Sequence, residues 1–388
     1  MANPGSQAYL ARRSGLSQAT VSDAVRELEE KQLVLSEKKG REIVNKIPPT
    51  AGAAVGIELG FSNFAVVARR VEQSYQDVHV ELRQVGAART NEARWVPEVA
   101  EAVRDAASGI GEDEIVSIGL GVPRVVSPRE GALVPPALPP WVEGEDPAQM
   151  LADELRRDGH AVRFVAPYVV LDNDANLAGY AMSIYEFPDE ETLIGIKAST
   201  GVGAGIIIGG KIIRGAVGAA GEIGHIVVKR DGAICSCGGR GCLETLVGSD
   251  ALVDQAKLVL GQRKLPAPHG IEELISWADD GNLICQRVLR EAGKTLGFTI
   301  GNLCNILNPN VVVISGALGR AAARFALEPL EQALQDSAMQ ATTVGRGALK
   351  VASTAISHPA AHGALVVGLE GTTYGQPSRP SRASRGRG

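Results

Sequence analysis

The stretch TLIGIKASTGVGAGIII, residues 192–208, holds two apolar, β-prone runs, Thr192 to Lys197 and Ala204 to Ile208, with Gly201-Val202-Gly203 turning the chain between them. The stretch AAVGIELGFSNFAVVA, residues 53–68, repeats the design: Ala53 to Glu58, a turn at Gly60, then Asn63 to Ala68. Each copy is followed by further strands and then by amphipathic helices; Arg94 to Ala107 is one and Leu283 to Leu307 the longest. A strand–glycine turn–strand unit used twice predicts two similar α/β lobes facing each other across a cleft, with any ligand bound in that cleft.

The chain of 388 residues has room for these lobes and a further small domain. A formal net charge of −5 argues against a general polyanion binder, so nucleic-acid contact would need a local basic surface. Met1 to Gln7 carries neither a basic start nor an apolar run, and the apolar stretches are broken by glycine or charge short of membrane-spanning length. A cytoplasmic protein without membrane contact is expected. Five cysteines in such a chain do not suggest a disulfide framework.

Ahead of the lobes, Tyr9 to Ser14 reads as a short helix, Gly15-Leu16 as a tight turn, and Ser17 as the N-cap of a second helix running to about Lys31. Val21, Val25 and Leu28 form its inner face. Gln18, Thr20, Ser22 and Arg26 on the other face suit base edges and phosphates. Lys38, Lys39 and Arg41 sit at the tip of a predicted hairpin, a wing for the DNA backbone. Residues 1–47 carry eight Lys/Arg against six Asp/Glu, a mild excess of about two positive charges, and a small helical cap without DNA is the competing reading. A winged domain normally has a further helix at its start. Only about seven polar residues precede this one, so that helix is expected to be short or missing.

Cys235-Ser236-Cys237 and Cys242, with Gly238, Gly239 and Gly241 between, can wrap one ion. Zinc prefers four tetrahedral N/S ligands, and His225, ten residues upstream, is the natural fourth. The set is closed, so a structural role is expected. Cys285 and Cys304 fall in helical patterns and read as core.

These residues carry a family resemblance. Gly221-Glu222-Ile223-Gly224-His225 followed by Cys235, Cys237, Cys242 and Glu244 resembles the signature of the ROK family (repressors, open reading frames and sugar kinases). Leu171-Asp172-Asn173-Asp174-Ala175-Asn176 resembles its catalytic segment, and residues 199–205 its second phosphate loop. Asn308-Pro309-Asn310 with Ser315-Gly316-Ala317 resembles its adenosine segment. The likeness runs from residue 50 to about 370, and a helix–turn–helix ahead of it marks the repressor branch. It implies an actin-like, sugar kinase/hexokinase-type α/β fold of two lobes, in which Asn173, Asp174, Glu222, His225 and Glu244 would hydrogen-bond sugar hydroxyls. Arg124, in the loop Gly121-Val122-Pro123-Arg124, is a further sugar candidate, with a solvated surface charge as the alternative.

Expected boundaries are 1–48 for the winged helix–turn–helix, with Pro48 to Gly52 as linker; 52–172 plus about 350–372 for the first lobe; 173–349 for the second lobe with the zinc site; and 373–388 for a disordered basic tail.

In a kinase of this family Asp174 would be the general base. The first phosphate loop, however, reads Asp-x-Gly-Gly-Thr in the family and Glu58-Leu59-Gly60-Phe61-Ser62 here. A Phe where backbone must approach phosphate fills the space. A sugar half that is kept beside a damaged nucleotide half fits a sensor better than a catalyst, so ATP–magnesium is not expected as cofactor. The expectation is a sugar-responsive transcriptional repressor that binds operator DNA as a homodimer or homotetramer, sugar binding closing the lobes. The alternative is an active ATP-dependent sugar kinase with an appended regulatory domain; a binding protein that neither regulates nor catalyses is a third reading.

Overall fold

The computed structural model describes residues 5–30, 34–39, 42–46, 52–60, 63–73, 78–84, 95–134, 145–157, 169–343 and 350–371. In chain order the elements are β1 (Gly5–Ser6), α1 (Gln7–Ser14), α2 (Gln18–Glu30), β2 (Leu35–Lys39), β3 (Glu42–Lys46), β4 (Ala53–Leu59), β5 (Asn63–Arg70), β6 (His79–Gln84), α3 (Trp95–Gly109), β7 (Ile115–Val122), α4 (Pro147–Arg157), β8 (Val170–Asn173) and α5 (Asp174–Tyr185). Then follow β9 (Thr192–Ala198), β10 (Val202–Ile208), β11 (Lys211–Ile212), α6 (Glu244–Val247), α7 (Ser249–Gln262), α8 (Ile271–Asp279), α9 (Leu283–Leu307), β12 (Val311–Ser315), α10 (Gly316–Ala321), α11 (Leu327–Ser337), α12 (Gln340–Thr343), β13 (Lys350–Ser353) and α13 (Pro359–Glu370).

The chain divides into two compact units: residues 1–120, 136–171 and 364–373 in the first, and residues 121–135, 172–363 and 374–388 in the second. Each repeat predicted from the glycine turns opens a five-stranded sheet. The orders are β6-β5-β4-β7-β8 and β11-β10-β9-β12-β13, the same pattern of a three-strand meander plus two later strands. The paired runs β4/β5 and β9/β10 are antiparallel, as their short glycine connections require.

The boundaries differ from the sequence reading in three places: residues 1–48 are not divided from the first lobe, and residues 121–135 and 350–363 fall in the second unit. Residues 350–353 were expected in the first lobe, but β13 pairs in parallel with β12, Val311 opposite Lys350 through Ile314 opposite Ser353, and so closes the second sheet. The second unit therefore keeps the chain to Gly363, and it also takes residues 121–135. A short strand with a parallel partner carries no local mark of which sheet it joins.

In the second unit one face of β9, Ile194, Ile196 and Ala198, enters a core with α7, α8, α9 and α11. Helices α9 and α11 approach closely because Gly293, Gly297 and Gly301 line the contact. A Cβ at these positions would lie 2.3 Å from the Ala326 carbonyl oxygen, 2.1 Å from that of Leu330 and 2.0 Å from Ser337 Oγ. Cys285 and Cys304 are fully buried on the same helix, as expected for core residues.

At the N-terminus Ser6 Oγ caps α1 by accepting from the Tyr9 N–H, and Gly15 ends it at φ +70°. Gly5 and Ser6, just ahead of α1, form the strand β1, paired antiparallel with β3 beside the β2/β3 hairpin. Arg41 and residues 373–388 lie outside the described residues. Among the described residues no helix is long and apolar enough to cross a membrane.

Candidate functional site

The site is built at the corner where β8 runs into α5. Asn173 sits between strand and helix, and its Oδ1 accepts from the N–H groups of Ala175 (2.9 Å) and Asn176 (3.1 Å), an N-cap. Its Nδ2 donates to the Arg124 carbonyl at 3.1 Å. The amide has a second N–H beyond the one used in these bonds. The Arg124 loop is itself held by a short hairpin, with the Ser127 N–H on Ala132 O and the Val134 N–H on Val125 O.

Asp172 and Asp174 flank the cap and each has a cation. Arg214 donates to Asp172 Oδ2 through Nε (3.0 Å) and Nη2 (2.7 Å). Lys197 Nζ donates to Asp174 Oδ2 at 2.5 Å. Asp172 also accepts from the Asn173 N–H and from Asn176 Nδ2. Lys197, Arg214 and Asp172 had no assigned role in the sequence. The available signal was a lone charge in an otherwise apolar strand, and an Arg directly before Gly215.

Glu222 is the electrostatic centre. Burial raises its carboxyl above the usual range; His225 opposes that, Asp174 and Glu244 add to it, and Arg124 opposes it. Burial likewise lowers the Arg124 guanidinium, with Glu222 opposing. All six sugar candidates thus lie in the second unit, and four of them, Asp174, Glu244, Arg124 and His225, are within electrostatic reach of Glu222. Asn173, the sixth, is joined to Arg124 by its hydrogen bond. The Glu222 loop is placed by glycine: Gly221 at φ +93° packs where a Cβ would stand 1.9 Å from the Ala204 carbonyl oxygen. Glu244 Oε2 accepts from the Val202 N–H at 3.2 Å, tying the β9–β10 turn to the start of α6.

The candidate metal centre adjoins this site. His225, Cys235, Cys237 and Cys242 present ligand atoms all within 4.8 Å of one another. Tetrahedral zinc, with bonds of about 2.3 Å to sulfur and 2.0 Å to nitrogen, sets edges of about 3.8 Å for S···S and 3.5 Å for S···N. Cys237 Sγ lies 3.7 Å from Cys242 Sγ, and Cys235 Sγ lies 3.5 Å from His225 Nδ1, so the cluster fits the ion. Burial pushes the Cys242 thiol up to about 12, while the Gly239 N–H holds Cys237 below its usual value. Metal binding would release those protons. The other ring nitrogen of His225, Nε2, lies 3.8 Å from Glu222 Oε2. The zinc would fix that ring, and so its free nitrogen, beside the carboxylate.

The candidate DNA-reading residues lie on α2 and the hairpin. Ser17 Oγ accepts from the Thr20 N–H at 3.1 Å and also bonds Thr20 Oγ1, so the Thr20 hydroxyl is engaged at the cap. Val21 and Val25 are buried and Leu28 half-buried, while Gln18 and Thr20 are exposed and Ser22 half-exposed. Arg26 is exposed and pairs with Asp23 at 3.0 Å. Lys38 is exposed on β2, and Lys39 stands opposite Glu42 at the end of the hairpin.

Two sheets of one topology, with a His–Cys cluster beside a cluster of carboxylates, define a mixed α/β protein with a sugar-kinase-like fold. The model of the ROK family matches residues 54–368, and the chain belongs to that family. It is 27% identical over 339 residues to a xylose repressor of Caldicellulosiruptor bescii, covering 80% of this chain and 78% of that protein. It is 31% identical over 236 residues to a glucokinase of Halalkalibacterium halodurans, covering 57% of this chain and 67% of that protein. In fold it resembles the crystal structure of a ROK family transcriptional regulator, a homolog of the Escherichia coli MLC protein. The TM-score is 0.74 at 21% identity, over 95% of this chain and 92% of that one.

Proposed function

We propose that the chain is a sugar-responsive, DNA-binding transcriptional regulator of the cytoplasm, that it acts as a repressor in a homo-oligomer, and that phosphoryl transfer has been lost. The observation that carries this reading is the convergence of Arg124, Asp174, Glu222 and Glu244 beside His225 in a chain whose N-terminal region holds helix, glycine turn, helix and hairpin. Carboxylates, a guanidinium and an imidazole supply the acceptors and donors that a pyranose or pentose needs. The xylose repressor and the regulator of like fold support the regulatory role. Against catalysis stand Phe61 in the first phosphate loop and the lysine already bonded to Asp174. The glucokinase relative favours the competing kinase reading.

Calorimetry on zinc-checked protein, with xylose, glucose, N-acetylglucosamine and their phosphates, each with and without ATP–magnesium, separates the two. A sugar that binds without nucleotide binding or turnover is the expected result. Formation of sugar phosphate overturns it. Fluorescence anisotropy on DNA from the chain's own promoter region, with and without that sugar, tests the regulatory half; no retention of any fragment would sink it.

A further inference from the structure

Lys197 lies within a strand whose neighbours are otherwise apolar or glycine. Side chains alternate along β9: Ile194, Ile196 and Ala198 enter the helical core, while Gly195 and Lys197 face α5. The helix comes unusually near, because a Cβ at Gly195 would stand 2.4 Å from Gly179 Cα and one at Gly205 2.5 Å from the Ala175 carbonyl oxygen. That approach sets Asp174, the first residue of α5, against Lys197, with their side chains only 10% and 13% exposed. Among the ionisable groups near Asp174 is Glu222 from the loop before the metal cluster, itself faced by His225, Glu244 and Arg124. The Asp172–Arg214 pair lies on the strand side.

We propose that Lys197 is a positioning residue for the effector: it fixes Asp174 as a permanently charged acceptor for a sugar hydroxyl and withholds it from proton transfer. The inference rests on the sugar site proposed above. A nearly buried carboxylate with an acidic neighbour needs a cation to stay ionised. One ammonium N–H does not exhaust a carboxylate, which offers about four lone-pair directions. A general base, by contrast, must take its substrate's proton, and doing so here would abolish the attraction to Lys197. A site built this way binds the hydroxyl that a kinase would activate and leaves it unreacted.

The test uses full-length, zinc-loaded protein. Lys197→Met keeps the aliphatic stem; Lys197→Gln, which keeps a donor without charge, replaces it if the first variant does not fold. Affinity for the sugar found in the calorimetric panel is measured at pH 6 and pH 8. Relative to the parent at the same pH, the variant is expected to lose about tenfold or more at pH 6, the worth of one charge-assisted hydrogen bond, and to recover most of it at pH 8. Equal loss at both pH values would mean that Lys197 serves packing alone and overturns the proposal. Independently of any sugar, the carboxyl carbon-13 resonance that Asp174→Asn removes is followed against pH. It is expected to titrate at higher pH without Lys197; an unchanged titration also overturns the proposal. If the carboxyl result holds and no sugar binds the parent protein, the effector reading fails while the hold of Lys197 on Asp174 stands.

Discussion

Replacing Arg214 by Met should unfold the second unit well below the parent's midpoint. Asp172 is 1% exposed and Arg214 21%, so the pair is poorly screened by solvent. At 2.7 Å and an effective dielectric near 20, the Coulomb attraction is about 6 kcal/mol. Part of that offsets the cost of burying both groups. The Asn173 N–H and Asn176 Nδ2 remain on Asp172 when the guanidinium is gone, so the carboxylate is not stripped of donors. The expected net loss is about 3–5 kcal/mol, the usual result of breaking a buried pair from one side. For a unit of this size that lowers the midpoint by about 6–20 °C. Thermal and urea denaturation at pH 7, followed by circular dichroism, measure it. Arg214→Met with Asp172→Asn should lose clearly less than Arg214→Met alone, because no orphaned charge is left behind. A single variant within about 1 kcal/mol of the parent would refute the reasoning and mean that the pair behaves as a surface ion pair.

Four further outcomes are expected. Cys242→Ser should abolish stoichiometric zinc by elemental analysis and lower the thermal midpoint, and chelator treatment of the parent should reproduce the drop. Gly297→Ala should destabilise by about 1–2 kcal/mol in urea unfolding. Its Cβ meets a backbone carbonyl oxygen at 2.1 Å, and that overpacking outweighs the gain of about 1 kcal/mol in helix propensity. Glu222→Gln, compared at matched metal content, should be more stable than the parent at pH 7 and equal to it near pH 3. A carboxyl held above its usual range in the native state costs stability as pH rises through the unfolded value, and the cost is full above the raised one. The same variant should bind sugar more weakly in calorimetry. Lys38→Ala with Gln18→Ala should weaken promoter binding by anisotropy, while sugar affinity stays unchanged.

Much of this was legible in the sequence because it is local. The runs opening at Ala53 and Thr192 were misjudged at their ends by a residue or two, Leu283 to Leu307 coincides with α9, and Gly15 takes the left-handed turn assigned to it. The metal cluster was readable because three of its four ligands lie within eight residues and glycines separate them. What escaped depends on contacts between distant segments. Lys197 meets Asp174 only because glycines let α5 lie flush on β9, and no spacing rule relates a strand lysine to a helix cap. Residues 350–353 were assigned to the wrong lobe for the same reason. Their register is dictated by β12, and the segment itself, Lys-Val-Ala-Ser, is indifferent to which sheet it completes.

The parallel pairing of β9 with β12 also sets a timetable for synthesis. Lys197 lies opposite Ser315, so β9 gains its second neighbour only after more than a hundred further residues have left the ribosome. At about 5–20 residues per second that wait is about 6–24 s, during which one edge of the strand is open. Helix α9 cannot shield it alone, since its three contact glycines weaken it as an isolated helix until α11 docks. The His225–Cys242 loop, by contrast, is complete within eighteen residues and emerges long before β12. The four candidate ligands are therefore all outside the ribosome, ready to meet a metal, while the sheet beside them is still half built.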